Sequence, residues 1–507
     1  MKRKILFLLA ILLTVSPVFC QTLEEFKKAQ QEGLKRQKQQ QQNGLNEAAI
    51  ALELYKKRER ESFANYLIED WMKRKAFHAD SMPQEVKPKE VPTTTPKRIK
   101  RKTKKIKHID RIYIPKTVVL STTKVEKEKE EFLIPWAKAD DGNYEANVTG
   151  VGFSFYGSYI FFKTFNRWTE VAFDGKSKEE AIANVYKKWS RMDVSDDIAS
   201  LKELRDSYQL NDYGYYMLIK DISTYLFKDS ESLQTLWTWY VLLEQSYDVR
   251  LAYHDDEIAM MYATDVQVYR KLSMMIGKNQ YYMTSNYSGS WYIYEDQFKG
   301  ANTPLKMTFS NAMLLSESNK NIPVAFAYKK KDYKFDFTYN KNLIDFYKNY
   351  PPIAVQEHFS TPVTEEMIQS IDKQLKPVVS ALETPKEKVD FLLSFVQHAF
   401  PYKRDVEQFG KEKYFYVEEM FAYPFSDCED RSVLFSFLVD HFVSLPTVGV
   451  WSPGHMFVAV DLSPAQGDVV YYKKTAFTVC DPTYVGASIG QGMPNVMKEK
   501  VSLIPCR

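Results

Sequence analysis

Three residues of this chain, Cys428, His455 and Asp481, are of the types that together transfer acyl groups through a thiol. Ser426-Asp427-Cys428-Glu429 precedes an apolar run with Val433, Leu434, Phe437 and Leu438 at helical spacing. Ser followed three residues on by Glu is a capping box, so Ser426 is expected to cap a helix whose second residue is Cys428. A sulfur there lies at the positive end of the helix dipole, among N–H groups that no helical carbonyl reaches. That setting favours thiolate, and the same N–H groups can hold an oxyanion.

His455 follows the turn Ser452-Pro453-Gly454 and opens an apolar strand running to Val460. A hairpin is expected around Gly467-Asp468, then a strand from Ala476 to Cys480, with Asp481-Pro482 at its end. A histidine at one strand end and an aspartate at a neighbouring one can meet, the carboxylate orienting the ring. Each residue also has a plain reading: a small buried thiol, a strand-end imidazole, a turn-forming aspartate. Their order at three element boundaries is what favours chemistry. Cys480 points to the opposite strand face from Asp481 and reads as core or disulfide. His441, several turns along the Cys428 helix, reads as structural. Glu429, Asp430 and Arg431 are expected to support the helix start, with Arg431 pairing a carboxylate. Neither Cys-x-x-Cys nor His-x-x-x-His spacing occurs, so no metal and no cofactor are expected.

Ser426-Asp427-Cys428-Glu429-Asp430-Arg431, Pro453-Gly454-His455 and Cys480-Asp481-Pro482-Thr483-Tyr484 resemble the transglutaminase-like superfamily. They are most similar to large exported members from Bacteroidetes, which also carry a segment like Tyr402-Lys403-Arg404-Asp405 through Gln408-Phe409-Gly410. The resemblance spans residues 385–495 or so. It implies an α+β, papain-like fold in which the cysteine helix packs on an antiparallel sheet. It also implies Cys428 as nucleophile, His455 as general base and acid, and Asp481 as the orienting carboxylate. Papain-type proteases use a glutamine ahead of the nucleophile to help hold the oxyanion, and Gln408 is the nearest candidate. The superfamily includes protein crosslinkers, peptidases and amidases. The implied function is therefore amide hydrolysis or acyl transfer on protein or cell-wall peptide substrates, as a cysteine protease, amidase or acyltransferase. The alternative is a non-catalytic envelope scaffold or binding protein on the same fold.

The elements that must position these residues occupy only the last part of a 507-residue chain. Residues 1–20 read as a signal peptide: Lys2, Arg3 and Lys4, then apolar Ile5 to Val15, then Val18-Phe19-Cys20. Export to the periplasm or cell surface is expected, with a lipid anchor at Cys20 as the alternative, and no transmembrane helix in the mature chain. Residues 21–78 read as an amphipathic helix with Phe63, Tyr66, Leu67 and Trp71 on one stripe, packed on the protein or on another copy. Residues 79–128 read as a linker, first Pro-rich and then basic over 97–107, able to contact an anionic envelope surface. No aromatic residues interleave the basic ones and the net charge is only +4, so nucleic acid is not an expected partner.

Residues 129–350 read as an α+β middle domain and 351–507 as the catalytic domain, which contains a helix capped by Thr384-Pro385-Lys386-Glu387. In the middle domain, strands are expected at Val151–Lys163, Val249–Tyr253, Ile258–Ala263, Gln280–Met283, Met307–Asn311 and Tyr333–Tyr339. Helices are expected at Lys178–Ser190, Ile198–Tyr208 and Tyr213–Glu244, and Tyr402–Tyr416 is expected to be loop. Leu233 to Met283 follows the same helix-then-strands order as the Cys428 region but lacks cysteine, and has Glu257 where His455 would stand. Two readings are open: a coincidental α+β order, or a degenerate copy of the catalytic unit. With Cys20 removed, three cysteines remain, an odd number for an oxidising compartment. Cys480 and Cys506 could pair and leave Cys428 free.

Overall fold

The computed structural model describes residues 148–174, 178–294 and 298–506, and before them 35, 51–52, 54–67, 76–78, 82, 83 and 85. The expected signal segment 1–20, the basic run 97–107 and Trp71 lie outside the described residues. Helix α1 (54–67) buries Phe63 and Leu67 in the first core, where Phe63 meets Tyr186, Tyr294 and Phe298 edge-on. Arg60 on the same helix donates to Glu244 at 2.9 Å. Phe63, Tyr66 and Leu67 of the stripe thus pack on the protein itself. Residues 76–78, expected to end that helix, instead form strand β1 (Ala76–His78), which pairs with residues 290–292.

The expected single strand over 151–163 is a hairpin, β2 (Val148–Phe155) and β3 (Ser158–Phe165). Tyr156 and Gly157 both have positive φ, the geometry of a two-residue turn whose twist matches the strands. Helices α2 (Lys178–Trp189) and α3 (Ser195–Ser207) follow. The expected continuous helix from Tyr213 to Glu244 is two, α4 (Asp212–Leu226) and α5 (Glu231–Glu244). Each has its own cap: Asn211 accepts from the Gly214 N–H at 2.8 Å, and Ser230 from the Leu233 N–H at 3.2 Å.

Next come β4 (Val249–His254), β5 (Glu257–Ala263), β6 (Ser273–Ile276), β7 (Asn279–Met283) and β8 (Ser290–Ile293). With β1 they form a six-stranded antiparallel sheet ordered β1-β8-β4-β5-β7-β6. Met307–Asn311, expected to be a strand, is not one. The Met307 backbone is satisfied by side chains instead: its N–H donates to Asp265 at 2.9 Å, and its carbonyl accepts from the Tyr350 hydroxyl at 2.7 Å.

The second half opens with the long hairpin β9 (Asn319–Tyr328) and β10 (Lys331–Asn340). Helices α6 (Lys341–Asn349), α7 (Val355–Ser360), α8 (Glu365–Val379) and α9 (Pro385–Ala399) follow. Thr384 and Glu387 form the expected capping box on α9. The stretch expected to be loop contains a short helix, α10 (Asp405–Phe409), and α11 (Cys428–Val443) follows. The chain closes with β11 (Thr447–Ser452), β12 (His455–Val460), β13 (Val469–Tyr472), β14 (Thr475–Cys480) and β15 (Ser502–Pro505), ordered β13-β14-β12-β11-β15. The tight turn lies at Lys473-Lys474, both at positive φ, and not at Gly467-Asp468, which sits in the longer β12–β13 connection. Val324, Phe337 and Ile344 share a core with Leu434 and Val458, so the packing around Cys428 begins upstream of residue 351.

The protein is mixed α+β with antiparallel sheets, and its two halves are wired alike. In each, a buried helix is followed by five strands. The first half orders them β6-β7-β5-β4-β8 and the second β13-β14-β12-β11-β15. Reading the strands by position in each series gives the same order, third, fourth, second, first, fifth. In each, an earlier helix packs on the leading one: α4 on α5, and α9 on α11. Among the described residues no helix is long and apolar enough to cross a membrane.

Candidate active site

Helix α11 starts one residue later than the capping-box spacing predicts. Asp427, extended, is the cap, and Cys428 is the first helical residue rather than the second. The Asp430 carboxylate reaches back to the Asp427 N–H at 3.0 Å. Ser426 is occupied elsewhere: it bridges to Tyr402, and its hydroxyl accepts from Arg431 Nε at 3.2 Å.

His455 opens β12 opposite Ser452, across the two-residue turn Pro453-Gly454, and the Ser452 hydroxyl donates to the His455 carbonyl at 2.9 Å. Asp481 directly follows β14, which pairs with β12. The two strand ends bring His455 Nε2 to within 2.8 Å of Asp481 Oδ2, and both side chains are buried. The other carboxylate oxygen, Oδ1, accepts the N–H groups of Thr483 at 2.9 Å and Tyr484 at 3.0 Å. Asp481 is therefore fixed on both sides, and the imidazole turns its Nδ1 edge away from it.

The start of β12 lies against the first turn of α11. The Ser432 hydroxyl reaches the Cys428 carbonyl at 2.7 Å and the Met456 carbonyl at 3.4 Å. The Met456 N–H favours the Cys428 thiolate. Stronger influences oppose it. The thiol donates to Glu429 Oε2 at 2.8 Å. Burial first, then the Glu429 and Asp427 carboxylates, push the thiol well above its usual range. The structure thus joins His455 to Asp481 and brings the first turn of α11 against Met456, the residue after His455, with the Cys428 thiol hydrogen-bonded to Glu429.

One positioning residue went unread in the sequence, and a second, Arg431, has other partners than expected. Gln397 of α9 is buried and donates to the carbonyls of Asp481, Tyr484 and Ala487 at 2.9, 3.1 and 3.1 Å, holding the loop after β14. A glutamine one turn on from Leu393, in an otherwise apolar stripe, was the available signal. Arg431 was expected to pair a carboxylate. Its guanidinium instead donates to the Phe400 carbonyl, to the Pro482 carbonyl at 3.5 Å and to Ser426. Burial pushes it down to about 10, so it remains charged at neutral pH. Glu429, expected to support the helix start, is the acceptor of the thiol.

Gln408, the oxyanion candidate, lies on α10 and donates to the Phe425 carbonyl at 3.4 Å, three residues ahead of Cys428. Its amide is directed to the chain leading into α11. Cys480 is fully buried in the core, and Cys428, Cys480 and Cys506 are all free thiols, so the Cys480–Cys506 pairing is not made. His441 binds Asp372 at 2.6 Å, away from the site.

Asp405, Asp427 and Asp430 are buried, with oxygens within 4.8 Å of one another, a grouping that could hold a metal ion. Asp405 accepts the Lys413 N–H at 2.8 Å and Asp430 the Phe415 N–H at 2.9 Å, so both hold the chain leading into α11. Burial and the two neighbouring carboxylates push Asp430 well above the usual range. In the first half, α5 begins with Glu231 where α11 begins with Cys428. There β5 begins with Glu257 opposite His254, as β12 begins with His455 opposite Ser452.

Comparison of the chain with protein-family models, with curated proteins and with solved structures found no match.

Proposed function

We propose that the second half is a transglutaminase-like cysteine hydrolase or acyltransferase acting on amides of proteins or cell-wall peptides. The observation that carries this reading is the buried His455–Asp481 pair at the start of β12, whose next residue, Met456, meets the first turn of α11, the helix that Cys428 opens. In the reaction, Cys428 turns from Glu429 to the free edge of His455 and gives it the thiol proton. The thiolate attacks the amide carbonyl, and the oxyanion is held by N–H groups at the start of α11. The imidazolium, steadied by Asp481, protonates the departing amine, leaving a thioester. Water yields the acid, and a second amine yields a new amide. Gln408 could lend its amide to the oxyanion only by leaving Phe425.

The first half is read as a degenerate copy, supported by the shared strand order and by Glu231 and Glu257 at the two corresponding starts. Such a copy can cover the site or present substrate to it. An exported protein, with the basic run 97–107 against an anionic surface, fits the sequence of residues 1–107.

A second reading, a non-catalytic envelope scaffold, is favoured by one observation: the buried Cys428 thiol rests on a carboxylate. Iodoacetamide alkylation of Cys428 across pH, followed by mass spectrometry in wild type and His455→Ala, separates the two. Labelling that rises with pH and falls in His455→Ala supports the enzyme. A folded protein whose Cys428 stays inert, or labels equally in both, supports the scaffold.

A further inference from the structure

The cores of the two halves meet along α6 and at one later residue. Helix α6 sends Leu343, Phe346 and Tyr347 into the core of the first half and Ile344 into that of the second. Beyond residue 353, Tyr416 alone among the described buried residues belongs to the first core. Its chain neighbours Phe415 and Val417 belong to the second. The backbone at Tyr416 is extended, so adjacent side chains leave it on opposite sides.

Two rings stack on Tyr416, Tyr347 at 4.1 Å and His358 at 4.3 Å, and Phe309 of the first half meets it edge-on at 5.7 Å. Ring contacts of this kind have preferred geometries, so they fix where Tyr416 sits as well as burying it. One residue back, Phe415 packs on Tyr423 at 4.9 Å, and its N–H donates to Asp430 Oδ1 at 2.9 Å. The other oxygen of Asp430 accepts the N–H of Asp427 at 3.0 Å, and Asp427 is the cap that precedes Cys428. One buried carboxyl group thus ties the residue beside Tyr416 to the first turn of α11. Oxygens of Asp405, Asp427 and Asp430 lie within 4.8 Å of one another. Carboxylates so close repel, and donors such as the Phe415 N–H offset this. Without that donor the Asp430 side chain is free to leave the Asp427 N–H, which loosens the residue before Cys428.

We propose that Tyr416 is a positioning residue for Cys428: its ring, seated in the first core, holds the Phe415 N–H on Asp430 and so fixes the start of α11. This rests on the cysteine-enzyme reading of the second half. It gives the first half a part in building the active site, beyond covering it or presenting substrate. The ring does the seating, so phenylalanine can stand in for tyrosine here.

The test uses the full chain, each variant held well below its Tm. Hydrogen exchange of the peptide spanning 426–431 is followed by mass spectrometry, and iodoacetamide labelling of Cys428 is measured with and without His455→Ala. Tyr416→Ala empties the seat and Tyr416→Phe keeps it. Phe153→Ala removes another ring of the same core, stacked on Tyr225 at 4.7 Å, and is the control for loosening that core at large. In Tyr416→Ala, exchange at 426–431 should quicken by about tenfold or more, and labelling should lose its dependence on His455. Tyr416→Phe should match wild type in both. Should Tyr416→Ala fail to fold, Tyr416→Leu makes the same comparison with the seat partly filled. Unchanged exchange in the emptied variant overturns the proposal. So does exchange that Phe153→Ala quickens as much, or labelling in Tyr416→Ala that still falls with His455→Ala as in wild type. Labelling of wild type that is absent or indifferent to His455 defeats the enzyme reading instead, and exchange then still decides whether Tyr416 fixes the start of α11.

Discussion

Cys428 and Glu429, neighbours in the chain, are also joined through their side chains, Sγ to Oε2 at 2.8 Å. The first turn of α11 therefore sets two influences against each other. A helix N-terminus favours a thiolate by about 0.3–1 kcal/mol. Burial and a close carboxylate each shift a thiol by about a unit or more, and a unit is about 1.4 kcal/mol. The second influence wins, and the resting state is a thiol.

Glu429→Gln removes the opposing charge and keeps the shape. The thiol should then ionise at lower pH, and iodoacetamide labelling of Cys428 at pH 7 should rise about tenfold for each unit gained. An unchanged rate would assign the effect to burial and Asp427 and remove Glu429 from the resting state.

Asp481→Asn keeps an oxygen able to accept from Thr483 and Tyr484. Thermal stability should thus change little. The neutral amide cannot steady an imidazolium, so amide turnover, once a substrate is found, should fall by about 10²–10⁴. Turnover within a factor of two of wild type would show that the His455–Asp481 bond serves structure alone.

Burial, and then Lys413, hold His358 down to about 3, against about 6.5 in an unfolded chain. Between those values the unfolded chain takes the proton and the folded one does not. Stability from this residue is complete above about pH 6.5 and is lost as pH falls toward 3, by about 1.4 kcal/mol per unit. In phosphate-free buffer, Tm of His358→Leu should fall less steeply than that of wild type between pH 6 and 4. Parallel curves would mean that His358 titrates normally.

The legible features were those whose signal is local. Pro453-Gly454 before His455 and Pro482 after Asp481 mark strand ends, and both residues stand at such ends. The N-terminus at Cys428 was legible to within one residue, because Asp427 competes with Ser426 as cap and Arg431 takes the serine. The break at Phe227–Ser230 was hidden by helix-like composition on both sides, although Asn211 and Ser230 are each good caps. Strand β1 was unreadable, since its partner lies more than 200 residues away. No motif encodes the bond from Cys428 to Glu429, which depends on side-chain rotamers within one buried turn.

Arg431 joins the end of α9 at Phe400, the loop after Asp481 at Pro482, and Ser426 before Cys428. A planar fork with several donors can satisfy three acceptors at once, and a lysine ammonium on its flexible stem cannot hold that geometry. In Arg431→Lys one or two buried acceptors lose their partner, at about 1–3 kcal/mol each. Tm should fall by roughly 2–4 °C per kcal/mol for a domain of this size. Loss of stability alone would make Arg431 a structural residue. A positioning role predicts more: well below Tm, the dependence of Cys428 labelling on His455 should weaken, because the segments leading to Cys428 and from Asp481 are no longer tied together. Arg431→Lys labelling that keeps the wild-type pH profile and the wild-type loss on adding His455→Ala would refute that role.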